Sequence, residues 1–411
     1  MCPGYKVALS ENRWDPNDPS KLKVDGAIYP SGQTPTDGRP HWTLQRALIE
    51  FKRGGAENDP FDDSIGDAVA QKATANRGQN ISYAAYAFVR QQRTALFLFF
   101  INGTKARVTR WERGGTIFTE AFDYVEDPEL LRDFLWRFSM LSDAEQGLDP
   151  TASPLKKKDR HYRLMDRLAK GPLPGQPPDI SEDDGATLPE ALDRSGHPKP
   201  LGEFDYIRKR YADTVKGDWP RYRVTVPFDG ALKEFLISEP VFQAPGMVGR
   251  GTRGYIAVDV ATQRFVWLKD AWRPYYQGME PEGEILKKLH AAGIARIPTL
   301  VCAGDLMQQT QTHFFAEGAD QVLVGQLSDQ SRATGSSRGS KRARDGKAKT
   351  QKKTPSSRIR HLSHYRLVVR EVCIPLSELK TSRQLIQVVL DCVEGQLRII
   401  APQRNLHSFI P

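Results

Sequence analysis

The chain has 411 residues, 39% of them hydrophobic and 27% charged, which suits a globular protein of two to three domains with some disordered stretches. Its longest apolar run, Thr94 to Gly103, is too short to cross a bilayer, which takes roughly 20 residues, and Met1 to Lys6 lacks the apolar core of a signal peptide. Four widely spaced cysteines with no Cys-x-x-Cys pair argue against a structural zinc site and for a reducing intracellular compartment, cytoplasmic or nuclear, with no membrane partner. The net charge of +9 is concentrated: Ser331 to Arg360 holds eleven Lys or Arg against the single acid Asp345, so the remaining residues sum to −1.

In chain order, strand-like runs at Leu22–Tyr29, Ala47–Lys52, Ala95–Asn102 and Ala106–Trp111 mix with helical stretches at Ser64–Thr74 and Asp127–Met140. An α/β domain over residues 1–147 is the natural reading. Glu50 and Lys52 stand two apart on a predicted strand and so share one face. With Asp25, Gln79 and Tyr83 they make a set that resembles the PD-(D/E)xK nuclease superfamily. That resemblance implies a divalent metal held by Asp25 and Glu50, with Lys52 positioning the attacking water or steadying charge. Val24 replaces the proline usual before the first acid. The plain alternative is a solvated strand face carrying an ion pair.

Residues 148–203 read as a linker with a short helix. They are rich in Pro and Gly at Gly171 to Pro178 and acidic at Ser181 to Asp184. Folded sequence resumes near Phe204. Gly249-Arg250-Gly251-Thr252-Arg253-Gly254 follows a G-x-G-x-x-G pattern, in which bare backbone can approach phosphate oxygens. The flanking Tyr255–Val258 and Arg264–Leu268 are strand-like, so the loop joins strands, as in kinases, and does not open a dinucleotide-binding helix. The second strand ends on Lys269. A helix is predicted from Pro281, and its phase places Glu282 before Leu286 and Leu289, able to reach back to Lys269; Glu284 is the rival.

These segments, with Leu268 to Arg273, Tyr365 to Val368, Pro375 to Ser377 and the upstream Arg77 to Tyr83, resemble the fungal-type protein kinase family over most of the chain, about Val24 to Glu394. The resemblance implies an ATP-binding N-terminal lobe, with Mg²⁺ as the accompanying ion. In it Gly249, Gly251 and Gly254 cradle phosphates, Lys269 grips them and Glu282 holds the lysine. It also implies a hinge at Glu371–Ile374 leading into a helix over Leu376–Val393, and an unidentified protein substrate or partner. None of the eight histidines is followed two residues later by Asp, and no Asp-Phe-Gly occurs. The catalytic loop is therefore missing from these residues, and the kinase pattern is expected to be cut short after the hinge.

The expected fold class is α+β. It comprises an α/β domain at 1–147 whose candidate residues resemble the PD-(D/E)xK set, the linker at 148–203, a partial kinase-like domain at 204–395 (N-terminal lobe, hinge and one helix) and an irregular tail at 396–411. Residues 328–360 are expected to be a disordered basic insertion between strands at Gln321–Gly325 and Tyr365–Val372, serving nuclear localisation or weak nucleic-acid contact. Three functions stay open: a kinase lobe without its catalytic loop, a metal-dependent nuclease, and a catalytically dead scaffold.

Overall fold

The computed structural model describes residues 2–11, 13–15, 18, 20–63, 66, 67, 70–180, 202–276, 278–315 and 361–406, with backbone alone at 66, 67 and 395–406. It is a mixed α+β structure with two large sheets. The first sheet is seven-stranded, built from β1 (Tyr5–Leu9), β2 (Gly26–Pro30), β3 (Ala47–Lys52), and, after a short pair β4 (Phe61–Asp62) and β5 (Gly66–Asp67), β6 (Ala95–Asn102), β7 (Lys105–Glu112), β8 (Gly115–Phe118) and β9 (Phe122–Asp123). β3 and β6 run parallel, joined through helix α1 (Gln71–Arg90), and the other pairs are antiparallel.

Strand alternation gives this sheet two apolar faces. Leu48, Leu98 and Phe100 pack with Tyr83, Ala84, Ala87 and Phe88 of α1. Ile49, Phe99 and Ile101 pack with Phe134 and Phe138 of helix α2 (Pro128–Met140). α2 starts where Asp127 accepts the Glu129 amide at 3.2 Å and Pro128 supplies a preset φ. Two expected elements shift. The helix expected at Ser64–Thr74 begins at Gln71, because Gly66–Asp67 pairs instead with Phe61–Asp62. The strand expected from Leu22 begins at Gly26, because the Asp18 carboxylate accepts the Ser20 and Leu22 amides, both at 2.8 Å, and turns the chain there.

The second sheet is eight-stranded. It contains β10 (Ala152–Pro154), β11 (Tyr222–Phe228), β12 (Ala231–Ile237), β13 (Phe242–Gln243), β14 (Arg253–Asp259), β15 (Phe265–Pro274), β16 (Leu300–Gln309) and β17 (Leu362–Val369), in the order β10-β11-β12-β14-β15-β17-β16 with β13 on β14. One face encloses Val224, Val226, Phe235, Tyr255, Val266, Leu268 and Val368. The other carries helices α3 (Arg160–Lys170), α4 (Asp205–Lys216) and α5 (Glu282–Ala291).

The linker boundary moves accordingly: β10 joins the second sheet and α3 packs on it, so residues 152–170 belong to that folded unit. After β17, a single 3-10 turn at Leu376–Glu378 precedes helix α6 (Ser382–Leu406). The helix expected at Leu376–Val393 thus starts later, and the tail expected to be irregular is helical to Leu406. The insertion at 328–360 and the strand expected at Gln321–Gly325 lie outside the described residues. No described helix is long and apolar enough to cross a membrane.

Candidate functional site

The glycine-rich segment is the loop of the β13–β14 hairpin, where Phe242 faces Gly254 and Gln243 faces Arg253. Gly249 (φ 105°) and Gly251 (φ 48°) occupy the left-handed region that favours glycine. β14 then pairs with β15 so that Gly254 faces Lys269. The first turn of α5 is anchored where the Gly283 amide donates to the Tyr365 hydroxyl at 2.8 Å. That anchor hangs Glu282 over the strand, and its carboxylate meets the Lys269 ammonium at 2.5 Å. The rival Glu284 turns outward and pairs with Lys287 at 2.9 Å. The Lys269–Glu282 pair is partly exposed, so it adds little stability; its effect is to aim the ammonium.

Other parts of this region are already engaged. The Gly249 amide donates to the Arg113 carbonyl at 2.8 Å. The Arg113 guanidinium donates to the Gly246 and Met247 carbonyls at 3.0 and 2.9 Å. It also lies against Gly251, where an added Cβ would sit 2.4 Å from its Cζ. Met247 is buried in the core of the first unit. The Trp267 indole lies across Gly254, 2.3 Å from the place of a Cβ. Arg113 and Met247 carry no signal in the sequence. Trp267 does: it stands two residues before Lys269, on the same strand face.

The Lys269 ammonium is held by Glu282, one loop amide is spent on Arg113, and Gly251 and Gly254 are covered by the Arg113 and Trp267 side chains. In this arrangement the loop does not fit a bound ATP.

The first unit gathers its own cluster. β3 turns Glu50 and Lys52 toward α1, which carries Gln79 and Tyr83. The Lys52 ammonium meets Glu50 at 2.5 Å and donates to the Gln79 side-chain oxygen at 3.1 Å. Gln79 in turn donates to the Tyr83 hydroxyl, which donates to the Lys23 carbonyl at 2.6 Å. Asp25, just before β2, accepts the Phe51 amide at 2.9 Å. All five sequence candidates therefore come together. Glu50 is 1% exposed, and its second carboxylate oxygen has no hydrogen-bond partner. Burial pushes its carboxyl up to about 7, with Asp25 adding to the effect and Lys52 opposing it.

A further polar group, unforeseen in the sequence, joins the N-terminal part of the second unit to its sheet. The fully buried Arg366 donates to Asp149 at 2.6 Å, to Asp270 at 2.8 Å and to the Thr151 hydroxyl at 2.8 Å. Arg253 and His364 also reach Asp270, each at 3.1 Å. Burial alone would raise the Asp270 carboxyl, but His364, Arg253 and Arg366 outweigh it and hold it well below the usual range. Asp149, Asp270 and His364 are close enough together to share an ion. Two arginines already neutralise the carboxylates, so the cluster is a structural hub.

A glycine hairpin feeding a strand-borne lysine, with a carboxylate on the next helix closing onto it, defines the N-terminal lobe of a protein kinase. The fungal protein kinase family model matches residues 211–410, so this part of the chain is similar to that family. No curated protein and no solved structure matches the chain.

Proposed function

We propose that this chain is a kinase lobe whose parent reaction is transfer of the ATP γ-phosphate to a Ser or Thr hydroxyl of a protein, and that these 411 residues by themselves do not carry out the transfer. The reading is carried by the 2.5 Å pairing of Lys269 with Glu282 on the strand after the glycine hairpin. Phosphoryl transfer is chiefly positioning and charge stabilisation. Lys269 contributes to both when aimed by Glu282, and ATP with a divalent ion is what the family uses in general. The reaction also needs a base for the substrate hydroxyl and ligands for the ion, and the sequence holds neither His-x-Asp nor Asp-Phe-Gly. The test is incubation with γ-labelled ATP and a generic protein substrate. No label above background is expected. Label that vanishes in Lys269→Ala would refute the silent part of the reading.

A second reading attaches to the first unit. It is favoured by the buried, unpartnered oxygen of Glu50 beside Asp25. A divalent cation held there, with Lys52 steadying charge, would be the chemistry of a metal-dependent nuclease. Without such activity the unit is a scaffold beside the lobe.

A further inference from the structure

We infer that helices α3 and α4, together with the Trp267 indole, form an internal cover over the face on which this lobe takes a nucleotide, so that the chain as folded excludes ATP until the cover lifts. The inference rests on the kinase-lobe reading above and concerns how its site is regulated.

A nucleotide gripped by its phosphates at Lys269 must lay the rest of its length along the same face of the sheet. On that face β15 presents Phe265, Trp267 and Lys269 in alternation, opposite Val258, Ile256 and Gly254 of β14. Beyond the lysine the surface is therefore an apolar wall, the kind that takes a planar ring. That wall is filled from within the chain. Ile256, Val258 and Phe265 are 2%, 0% and 4% exposed, beneath Leu164, Met165 and Leu168 of α3 and Ile207, Tyr211 and Val215 of α4. The Tyr211 ring sits 4.7 Å from that of Phe265. The Trp267 indole closes the remaining gap above Gly254.

Polar ties fix the cover at its rim. The Tyr206 hydroxyl donates to the Val372 carbonyl, in the segment that follows β17. Arg210 pairs with Glu378 at 2.5 Å. Arg208 holds α4 to α3 through the Gly171 carbonyl at 3.1 Å and to Asp179 at 2.5 Å. All of α3, and α4 up to Arg210, precede the family-matched residues 211–410. Most of the cover is thus supplied by the N-terminal part of this chain and laid over the lobe. Tyr206 and Arg210 lie on α4 and tie it to Val372 and Glu378 after β17, so the substitutions that cut these ties leave Lys269, Glu282 and the glycine loop themselves unchanged.

The experiment titrates the full chain with a fluorescent ATP analogue. It compares wild type with the double variant Tyr206→Phe/Arg210→Ala and with Trp267→Ala, each with and without Lys269→Ala. Amide hydrogen exchange over residues 205–216 reports whether the cover has lifted. We expect faster exchange in the double variant and binding tighter by roughly tenfold or more in both openers, lost with Lys269→Ala. Wild-type binding as tight as that of the openers, and dependent on Lys269, would overturn the cover and leave the kinase-lobe reading standing. Exchange showing a lifted cover with no binding, or with binding indifferent to Lys269, would instead remove nucleotide as the ligand and sink both.

Discussion

Glu50 offers a quantitative test of the first unit. Its carboxyl titrates near 7 in the folded chain against 4.5 as the ordinary value, because burial disfavours the charged form. Between those values the native state binds more protons than the unfolded state, so stability falls as pH rises from about 4.5 to about 7 and is level beyond. A shift of that size corresponds to about 3 kcal/mol, at 1.36 kcal/mol per unit. Glu50→Gln keeps the shape and removes the titration. It leaves Lys52 without its carboxylate, a cost that changes little across this range and so cannot imitate the slope. Thermal unfolding of wild type and Glu50→Gln should be followed at pH 5, 6, 7 and 8. Wild type should lose about 3 kcal/mol relative to the variant from the acid end to pH 8, roughly 6–12 °C in Tm for a domain of this size. Parallel curves for the two proteins would refute the raised titration and the burial argument behind it. Repeating the series with Mn²⁺ adds a second reading. A cation held by Asp25 and Glu50 would stabilise wild type at pH 8 by about 2.7 kcal/mol at a hundredfold excess over Kd and leave the variant unmoved.

Two further outcomes are expected. Arg366→Met removes the cation that neutralises Asp149 and Asp270 in the buried hub; it should cost about 3–5 kcal/mol by urea unfolding, because it strands buried carboxylates. A loss below about 1 kcal/mol would mean the hub contributes packing alone. Plasmid nicking by the full chain in Mg²⁺ or Mn²⁺ should be absent, and nicking that disappears in Glu50→Ala would establish the nuclease in place of the scaffold.

The parts legible in the sequence were those set by short-range periodicity. Strand alternation puts Glu50 with Lys52 on one face, and helix phase selects Glu282 over Glu284 to meet Lys269, both within a few residues of the elements that decide them. The helix at Gln71–Arg90 was misplaced because the apolar positions from Ala73 to Phe88 form its buried stripe, whereas the preceding Gly66–Asp67 follows a strand pairing that only the fold supplies. The cover was illegible for a different reason. α3 looked like a short helix inside a linker, yet Leu164, Met165 and Leu168 form an apolar stripe that must be buried against something. Its partner, the Phe265–Ile256 wall, lies about a hundred residues away, and no local pattern links the two. Asp270 was equally hidden, because it stands beside Lys269 on β15 and nothing local marks it as buried. A buried carboxylate requires a cation, and Arg366 supplies it from the neighbouring strand.

The same long-range logic explains why the glycine pattern is an incomplete guide to an open site. Two consecutive residues at and just beyond the end of β7 hold separate parts of the second unit. Glu112, 1% exposed, accepts the Thr312 hydroxyl at 2.7 Å and the Gln311 amide at 2.5 Å. Arg113 takes the Gly246, Met247 and Gly249 backbone. Each buried bond of this kind is expensive to leave unmade, so the loop's conformation is set as much by the first unit as by its own glycines. Met247 adds an apolar anchor in a core built mainly by α1 and the first sheet. Glycine supplies the freedom to approach a phosphate. Here that freedom is used to fit backbone against Arg113 and to admit an indole over Gly254. The residues of a phosphate loop and a phosphate loop free to act are therefore distinct properties, and in this chain the contacts that separate them come from Arg113, far upstream of the motif, and from Trp267 on the strand that follows it.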